Sequence, residues 1–376
     1  MKIGLLGAGR LGICFALLLE KSGYEVIASD LRKEYILDLQ RGKINTIEPL
    51  VEEYLLQAKN ITFRTDNQSV IKDCDIIYTL VATPSLPDGS YDVSSVRQVI
   101  KDIKNCPFSV DGKSLVIGCT TNPGDCKDFQ NHLKDYGVDV YYNPEFIAQG
   151  SIIKDLQNAD MILIGGSGKH LEHLKEIYSK IQTISPKVYT MSTTAAELVK
   201  LGVNCFLTTK ISYANMVGEV LIKNGMETEI KNVLDAIGSD SRVGHKYLKY
   251  GFGFGGPCLP RDNRAFAYAA KQLGLEYNLG FTTDQFNQEH HQFLVENFIR
   301  KNSDNLPFAF ESVAYKKGTD IVTESQQYRL CVDLLNLGYK VYVTDDLVKD
   351  QCDSRIIWET PEEKVFWVEV IKTKNK

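Results

Sequence analysis

Lys2-Ile3-Gly4-Leu5-Leu6-Gly7-Ala8-Gly9-Arg10-Leu11-Gly12 is the stretch whose reading decides the fold. Lys2 to Leu6 is a short apolar run, as a strand buried on both faces of a parallel sheet must be. The glycines Gly7, Gly9 and Gly12 follow at once, and then a helical run from Leu11 to Lys21. Gly23-Tyr24 turns the chain into a second strand, Glu25 to Ser29, which ends on an acid, Asp30. Strand, glycine turn, helix, strand and acid, in that order, describe a dinucleotide-binding unit. Asp30 is expected to accept hydrogen bonds from an adenosine ribose, and its charge would repel a 2′-phosphate. NAD is therefore favoured over NADP, with Arg32 and Lys33 arguing the other way.

Moving outward, apolar strands are expected over Asp75 to Val81, Ser114 to Gly118, Val138 to Tyr142 and Met161 to Gly165. Their alternation with helical runs predicts an α/β fold, a Rossmann-like doubly wound parallel sheet. Ligands of such sheets bind at the carboxyl ends of the strands, which directs attention to two loops. These are Ala82-Thr83-Pro84 and Cys119-Thr120-Thr121-Asn122-Pro123-Gly124. From Ala195 to about Asn224 the pattern becomes one long helix behind the capping residues Ser192, Thr193 and Thr194. A helix of that length links domains or forms a dimer interface. More helix follows to about Gln288. Leu306-Pro307 reads as a boundary, followed by a strand from Phe308 to Tyr315 and a helix from Gln326 to Leu337. Gly338-Tyr339-Lys340-Val341-Tyr342-Val343-Thr344-Asp345 mirrors Gly23-Tyr24-Glu25-Val26-Ile27-Ala28-Ser29-Asp30, which predicts a second, smaller Rossmann-like domain. Three domains result: an NAD-binding domain over 1–194, a helical domain over 195–300 and a C-terminal domain over 301–376.

The length of 376 residues accommodates these domains, and 43% hydrophobic with 24% charged residues is ordinary for a globular chain. A net charge of -5 gives no electrostatic reason to expect nucleic acid or an anionic membrane as partner. The nine cysteines form no Cys-x-x-Cys pair, so neither a zinc ribbon nor a thioredoxin-type site is suggested, and no metal is expected. Cys14 and Cys205 sit in apolar runs and read as small core residues. The opening apolar run is too short for a secretory signal, and no stretch approaches the roughly 20 apolar residues of a membrane span. A cytoplasmic, reduced protein is expected.

Phe252-Gly253-Phe254-Gly255-Gly256-Pro257-Cys258-Leu259-Pro260-Arg261-Asp262 is the second informative segment. Its glycines are expected to let the backbone turn tightly and to leave room for a bulky ligand. The turn presents one thiol, Cys258, with Arg261 and Asp262 just downstream. Such a thiol can be a nucleophile whose thiolate is stabilised by nearby positive charge. Taken alone, a glycine-rich turn with an incidental cysteine explains the segment equally well.

The motifs together resemble those of the nucleotide-sugar 6-dehydrogenases, the family of UDP-glucose and GDP-mannose dehydrogenases. The resemblance is carried by Gly7-Ala8-Gly9-x-x-Gly12, Ala82-Thr83-Pro84, Asn143-Pro144-Glu145-Phe146 and Glu197-Leu198-Val199-Lys200-x-x-x-Asn204. Asp240-Ser241-Arg242-Val243-Gly244, Gly253 to Asp262 and Ala314-Tyr315-Lys316-Lys317-Gly318-Thr319-Asp320 continue it along nearly the whole chain. It implies a four-electron oxidation of a sugar C6 alcohol to a carboxylate, using two NAD+ in turn. Cys258 would attack the C6 aldehyde to give a thiohemiacetal, then a thioester that water hydrolyses. Lys200 would stabilise the oxyanion, with Asn204 one helical turn away on the same face. Asp262 would position or deprotonate water, while Thr120 and Glu145 would hold the reacting water and the sugar. The cofactor set implied is Gly7, Gly9, Arg10, Leu11, Gly12, Asp30, Thr83, Pro84, Thr120, Gln149 and Arg261. The substrate set adds Phe146, Arg242, Tyr247, Lys249, Gly255 and Lys316.

Departures from the family pattern are also present. Cys119-Thr120-Thr121-Asn122 keeps only the threonine of the usual loop, Gln149 stands for a glutamate, Arg261 for a lysine, and Thr323 for an arginine. The stretch after Asp346 matches poorly. UDP-glucose is the substrate expected, with UDP-N-acetylhexosamine and GDP-mannose as alternatives within the class, and a homodimer through the long helix is implied. Two further classes stay open: a two-electron dehydrogenase of the 3-hydroxyacid type, and a binding protein without turnover.

Overall fold

The computed structural model describes residues 2–369, so Met1 and the end of the expected C-terminal domain, 370–376, lie outside the described residues. The chain forms two compact units, Met1–Lys200 and Leu201–Lys376.

In the first unit the strands are β1 (Lys2–Leu6), β2 (Glu25–Ser29), β3 (Ile61–Arg64), β4 (Ile76–Thr79), β5 (Ser114–Ile117), β6 (Asp139–Tyr142), β7 (Met161–Gly165) and β8 (Lys187–Met191). They lie in the order β3-β2-β1-β4-β5-β6-β7-β8. Every neighbouring pair is parallel except β6 and β7, which meet antiparallel at Tyr142 and Gly165. The expected doubly wound sheet is therefore present, with one antiparallel joint and two strands, β3 and β8, beyond those expected. The helices are α1 (Arg10–Lys21), α2 (Lys33–Gln40), α3 (Val51–Gln57), α4 (Asn67–Asp73), α5 (Ser94–Lys104), α6 (Asp125–Leu133), α7 (Ile152–Gln157) and α8 (Leu171–Ile181). Ile13 through Leu19 of α1 are all buried, because α1 packs against the sheet on one side and α7 and α8 on the other. The strand order reverses between β1 and β4. That crevice is where open α/β sheets bind nucleotides, and it receives the glycine turn after β1 and the Thr83 loop after β4.

A 31-residue helix, α9 (Thr193–Lys223), begins in the first unit and runs on into the second. The second unit then adds α10 (Ile230–Ser239), α11 (Leu259–Gln272) and α12 (Leu279–Lys301). Beyond them come β9 (Phe308–Phe310), α13 (Gln326–Asn336), β10 (Val341–Val343) and β11 (Phe366–Trp367). The three strands form a small parallel sheet, β10-β9-β11. One core runs from the helices into this sheet through Leu221, Leu234, Leu294, Phe298, Phe308, Leu330 and Val341. The strand expected to reach Tyr315 stops at Phe310. Beyond it the Tyr315 N–H donates to Ile321 O at 2.9 Å, closing a local turn in place of a sheet bond. Among the described residues no helix is long and apolar enough to cross a membrane.

Candidate active site

The three glycines after β1 do different work. Gly7 has φ +100°, and a Cβ there would lie 2.7 Å from Leu80 O. At Gly12 a Cβ would lie 2.0 Å from Gly7 O, so this glycine lets α1 close against the turn. At Gly9, the N-cap of α1, a Cβ would meet nothing within 4 Å. Open space in front of a helix N-terminus is a cradle that fits the pyrophosphate of a dinucleotide.

Several of the other residues expected at the cofactor belong to this unit. Asp30 accepts from Arg32 N at 3.0 Å, Nε at 2.8 Å and Nη2 at 2.8 Å. Burial pushes the Asp30 carboxyl up, but the bonds from Arg32 outweigh it and hold the group below its ordinary value. The Arg32 guanidinium lies 4.2 Å over the Tyr35 ring, and the Tyr35 hydroxyl donates to Ala8 O at 2.8 Å. Acid, arginine and tyrosine thus form one wall beside the glycine turn. Arg10 Nη1 donates to Gln149 Oε1 at 3.0 Å, which joins two residues expected at the cofactor. Leu11 is half-buried against the core, Thr83 is buried and Pro84 exposed. Pro84 O accepts from Asp92 N at 2.8 Å, making the loop after β4 a tight one.

The loop after β5 is fastened from two sides. Glu197 accepts from Thr121 Oγ1 at 2.8 Å, Gly124 N at 2.7 Å and Cys126 N at 2.9 Å, so α9 caps the start of α6. Burial raises the Glu197 carboxyl pKa, partly offset by these donors. Asn122, a departure from the family pattern, pairs with the backbone of Tyr91 in both directions, at 2.8 and 2.9 Å. Thr120 is left half-buried between these anchors.

Glu145 is partly buried just beyond β6. Tyr178 Oη lies 2.5 Å from Glu145 Oε1 and 2.7 Å from Asn143 Oδ1. Asn143 Nδ2 donates to Leu163 O at 2.9 Å, which leaves Oδ1 as an acceptor. A hydroxyl has one proton and cannot donate to two acceptors, so the arrangement is complete when Glu145 is protonated and donates to Tyr178. In agreement, burial pushes the Glu145 carboxyl up to about 7 despite the opposing pull of Tyr178 and Lys200. Lys200 is buried, donates to Glu145 O at 2.8 Å and stands 4.8 Å over the Phe146 ring.

In the second unit Cys258 is the N-cap of α11 and, among the described residues, the exposed cysteine. Its carbonyl accepts from Asp262 N at 2.9 Å in the first turn, with Pro260 inside that turn. A thiolate here faces the positive end of the helix dipole. Asp262 is 2% exposed and accepts from Asn204 Nδ2 at 2.5 Å, and Thr208 Oγ1 donates to Asn263 Oδ1 at 2.8 Å. The turn of α11 that carries Cys258 is thereby tied to α9. Arg261 is half-buried in the same turn.

The space expected beside the glycines for a ligand is filled by the chain itself. A Cβ at Gly253 would lie 2.1 Å from Asn287 Oδ1, at Gly255 2.3 Å from Glu324 O, and at Gly256 2.4 Å from the Tyr315 ring. The glycines permit close packing of the loop on its own unit. The three expected cations and one ring outside this cluster are exposed: Arg242, Lys249, Lys316 and Tyr247. Arg242 pairs with Asp240 at 2.7 Å, and Tyr247 has φ +63°. Sequence reasoning left Asn143 and Glu197 without a role although both lay in quoted motifs. It missed Tyr178 altogether, since a tyrosine on the apolar face of a helix signals only packing.

Two family descriptions match the chain. Residues 1–182 match the NAD binding domain of the UDP-glucose/GDP-mannose dehydrogenase family, and residues 194–289 match its central domain. UDP-glucose 6-dehydrogenase TuaD of Bacillus subtilis is 30% identical over 359 residues, covering 92% of this chain and 76% of the relative. GDP-mannose 6-dehydrogenase of Pseudomonas aeruginosa is 29% identical over 363 residues, covering 92% and 81%. The solved structure of a UDP-glucose dehydrogenase from Pyrobaculum islandicum superposes with a TM-score of 0.85 at 26% identity, covering 96% of this chain and 86% of that one. The cradle at Gly9, the acid at Asp30 and these matches over both units lead to one conclusion: the chain belongs to the UDP-glucose/GDP-mannose dehydrogenase family and is an NAD-dependent nucleotide-sugar 6-dehydrogenase.

Proposed function

We propose that this enzyme oxidises the C6 alcohol of UDP-glucose to the carboxylate of UDP-glucuronate through a covalent intermediate on Cys258. The observation that carries the reading is the exposed thiol at the N-terminus of α11, backed by the buried Asn204–Asp262 pair. NAD, held at the Gly7–Gly12 turn, supplies the hydride acceptor in each of the two oxidations. The buried ammonium of Lys200 stabilises negative charge on the C6 oxygen. Cys258 Sγ adds to the C6 aldehyde, forming a C–S bond, and loss of a second hydride from C6 leaves a thioester. Asp262 positions the water that attacks this carbon; the C–S bond breaks, the thiol is restored and the water oxygen remains in the product carboxylate. Thr120 and Glu145 hold the sugar and the reacting water, and Arg261 and Gln149 are assigned to the cofactor. Arg242, Tyr247, Lys249, Phe146 and Lys316 are assigned to the nucleotide sugar.

UDP-glucose is chosen because TuaD and the Pyrobaculum islandicum protein bear that name, with GDP-mannose and UDP-N-acetylhexosamines as the alternatives to be assayed beside it. In this reading 1–194 binds NAD, 195–300 carries the thiol loop and the dimer contact, and 301–376 receives the nucleotide. Exposed Phe206, Tyr213, Met216 and Val220 repeat along one face of α9 and support a homodimer through that helix. A reducing, cytoplasmic setting suits its scattered cysteines. The test is Cys258→Ser, assayed for steady NADH formation with UDP-glucose after circular dichroism has verified the fold. Loss of turnover is expected; full activity would remove the covalent mechanism.

A further inference from the structure

The segment leading into Cys258, residues 251–257, has no helix or strand of its own, so its backbone groups depend on partners supplied from elsewhere. Three buried side chains provide them. Asn215 of α9 accepts from Gly251 N at 2.9 Å and reaches Phe252 O at 3.4 Å. Asn287 of α12 accepts from Phe254 N at 2.9 Å and donates to Phe254 O at 3.0 Å. His290, one helical turn beyond Asn287, places Nε2 2.8 Å from Gly251 O.

The histidine is itself oriented. Its Nδ1 lies 2.6 Å from Glu219 Oε1 on α9. A carbonyl can only accept, so Nε2 carries a proton and donates to Gly251. Nδ1 then either carries a second proton or accepts one from Glu219, and in both cases the bond to Glu219 fixes which way Nε2 points. The ring is 1% exposed, sandwiched by Phe286 at 6.1 Å and Phe293 at 6.5 Å, with Tyr250 edge-on at 5.8 Å. Gly218 makes that approach possible, since a Cβ there would lie 2.1 Å from the Tyr250 ring. Among three aromatic neighbours and backbone, an apolar side chain would fill the volume without the cost of burying a polar pair. What the pair adds is a directed bond to the backbone just ahead of the thiol.

We infer that His290, oriented by Glu219, is a positioning residue for the Cys258 thiol, acting through Gly251 on the loop that delivers the N-terminus of α11. This rests on the reading of Cys258 as the nucleophile, and its test includes a readout that does not. His290→Leu and His290→Gln are made in the full chain, and alkylation of Cys258 by iodoacetamide without substrate is followed by peptide mass spectrometry beside NADH formation. Circular dichroism and NAD affinity report whether each variant is folded. For His290→Leu, turnover falls about tenfold or more and the Cys258 alkylation rate shifts about threefold or more, since small misplacements of reacting groups are costly. His290→Gln, whose amide can still donate to Gly251 O, recovers most of both. A folded His290→Leu variant alkylated at the wild-type rate overturns the inference whatever its turnover. Should that variant fail to fold, Glu219→Leu decides, because it keeps most of the volume and removes the hydrogen bond that orients the ring; an unchanged alkylation rate there overturns the inference equally. If Cys258→Ser retains turnover while the His290 variants still shift alkylation, the nucleophile reading falls and the loop-positioning role stands.

Discussion

Glu145 and Tyr178 meet at 2.5 Å, with Asn143 2.7 Å from the same hydroxyl, and the geometry is complete with Glu145 protonated. With its pKa raised to about 7, Glu145 changes charge near neutrality. If it serves as a base toward water or the sugar, kcat/KM rises with pH through about 7, and Glu145→Gln removes that limb. Tyr178→Phe moves the limb upward, because a hydrogen bond to the charged carboxylate is worth more than one to the neutral acid.

The same shift affects stability. The folded state holds this proton more tightly than the unfolded chain, so the contribution is complete below the ordinary value of 4.5 and is lost as pH rises to about 7. Denaturant unfolding at a series of pH values should show that loss in the wild type and a flatter curve in Glu145→Gln. Parallel curves would contradict the assignment.

Gly9 and Gly12 should respond differently to alanine. A methyl at Gly9 meets no protein atom within 4 Å, so Gly9→Ala keeps the wild-type melting temperature while NAD affinity falls about tenfold or more. A methyl at Gly12 would lie 2.0 Å from Gly7 O, so Gly12→Ala destabilises the fold by about 1–3 kcal/mol even without NAD. Calorimetric NAD titration beside thermal melts separates the two.

Asp30 is held by Arg32 just beyond β2, where the ribose of NAD is expected. Asp30→Ala removes the charge that repels a 2′-phosphate and leaves Arg32 over Tyr35 as a cation able to meet one. The ratio of kcat/KM for NAD over NADP is expected to fall about tenfold or more. An unchanged ratio would show that selectivity arises elsewhere.

Asn204→Ala withdraws the amide donor from the buried Asp262 carboxylate. We expect a loss of about 1–3 kcal/mol in unfolding free energy, and turnover reduced beyond what the folded fraction explains. Asn204→Asp, which sets two carboxylates together, is expected to be worse.

Much of this was legible in the chain. The run from Lys2 to Asp30 spells out strand, turn, helix and strand because burial on both faces demands an unbroken apolar run and the turn demands glycine. β8 escaped reading for the opposite reason: Lys187 to Thr190 are exposed, so its pattern carries no apolar signal. β3 is a four-residue edge strand with one buried residue, Phe63. The glycines at 253, 255 and 256 read as room for a bulky ligand, because a glycine pattern does not say what approaches it, and the approaching groups are Asn287, Glu324 and Tyr315. Tyr178 and His290 lie far in sequence from the residues they hold, and only folding puts them beside Glu145 and Gly251.

The central claim is a four-electron oxidation through Cys258, and the most direct measurement is NADH formed per sugar consumed. UDP-glucose, UDP-N-acetylhexosamines and GDP-mannose are assayed in parallel, with the acid product quantified. The account predicts two NADH per molecule of UDP-glucose. One NADH per molecule, with aldehyde or ketone as the product, would contradict it and make the enzyme a simple alcohol dehydrogenase.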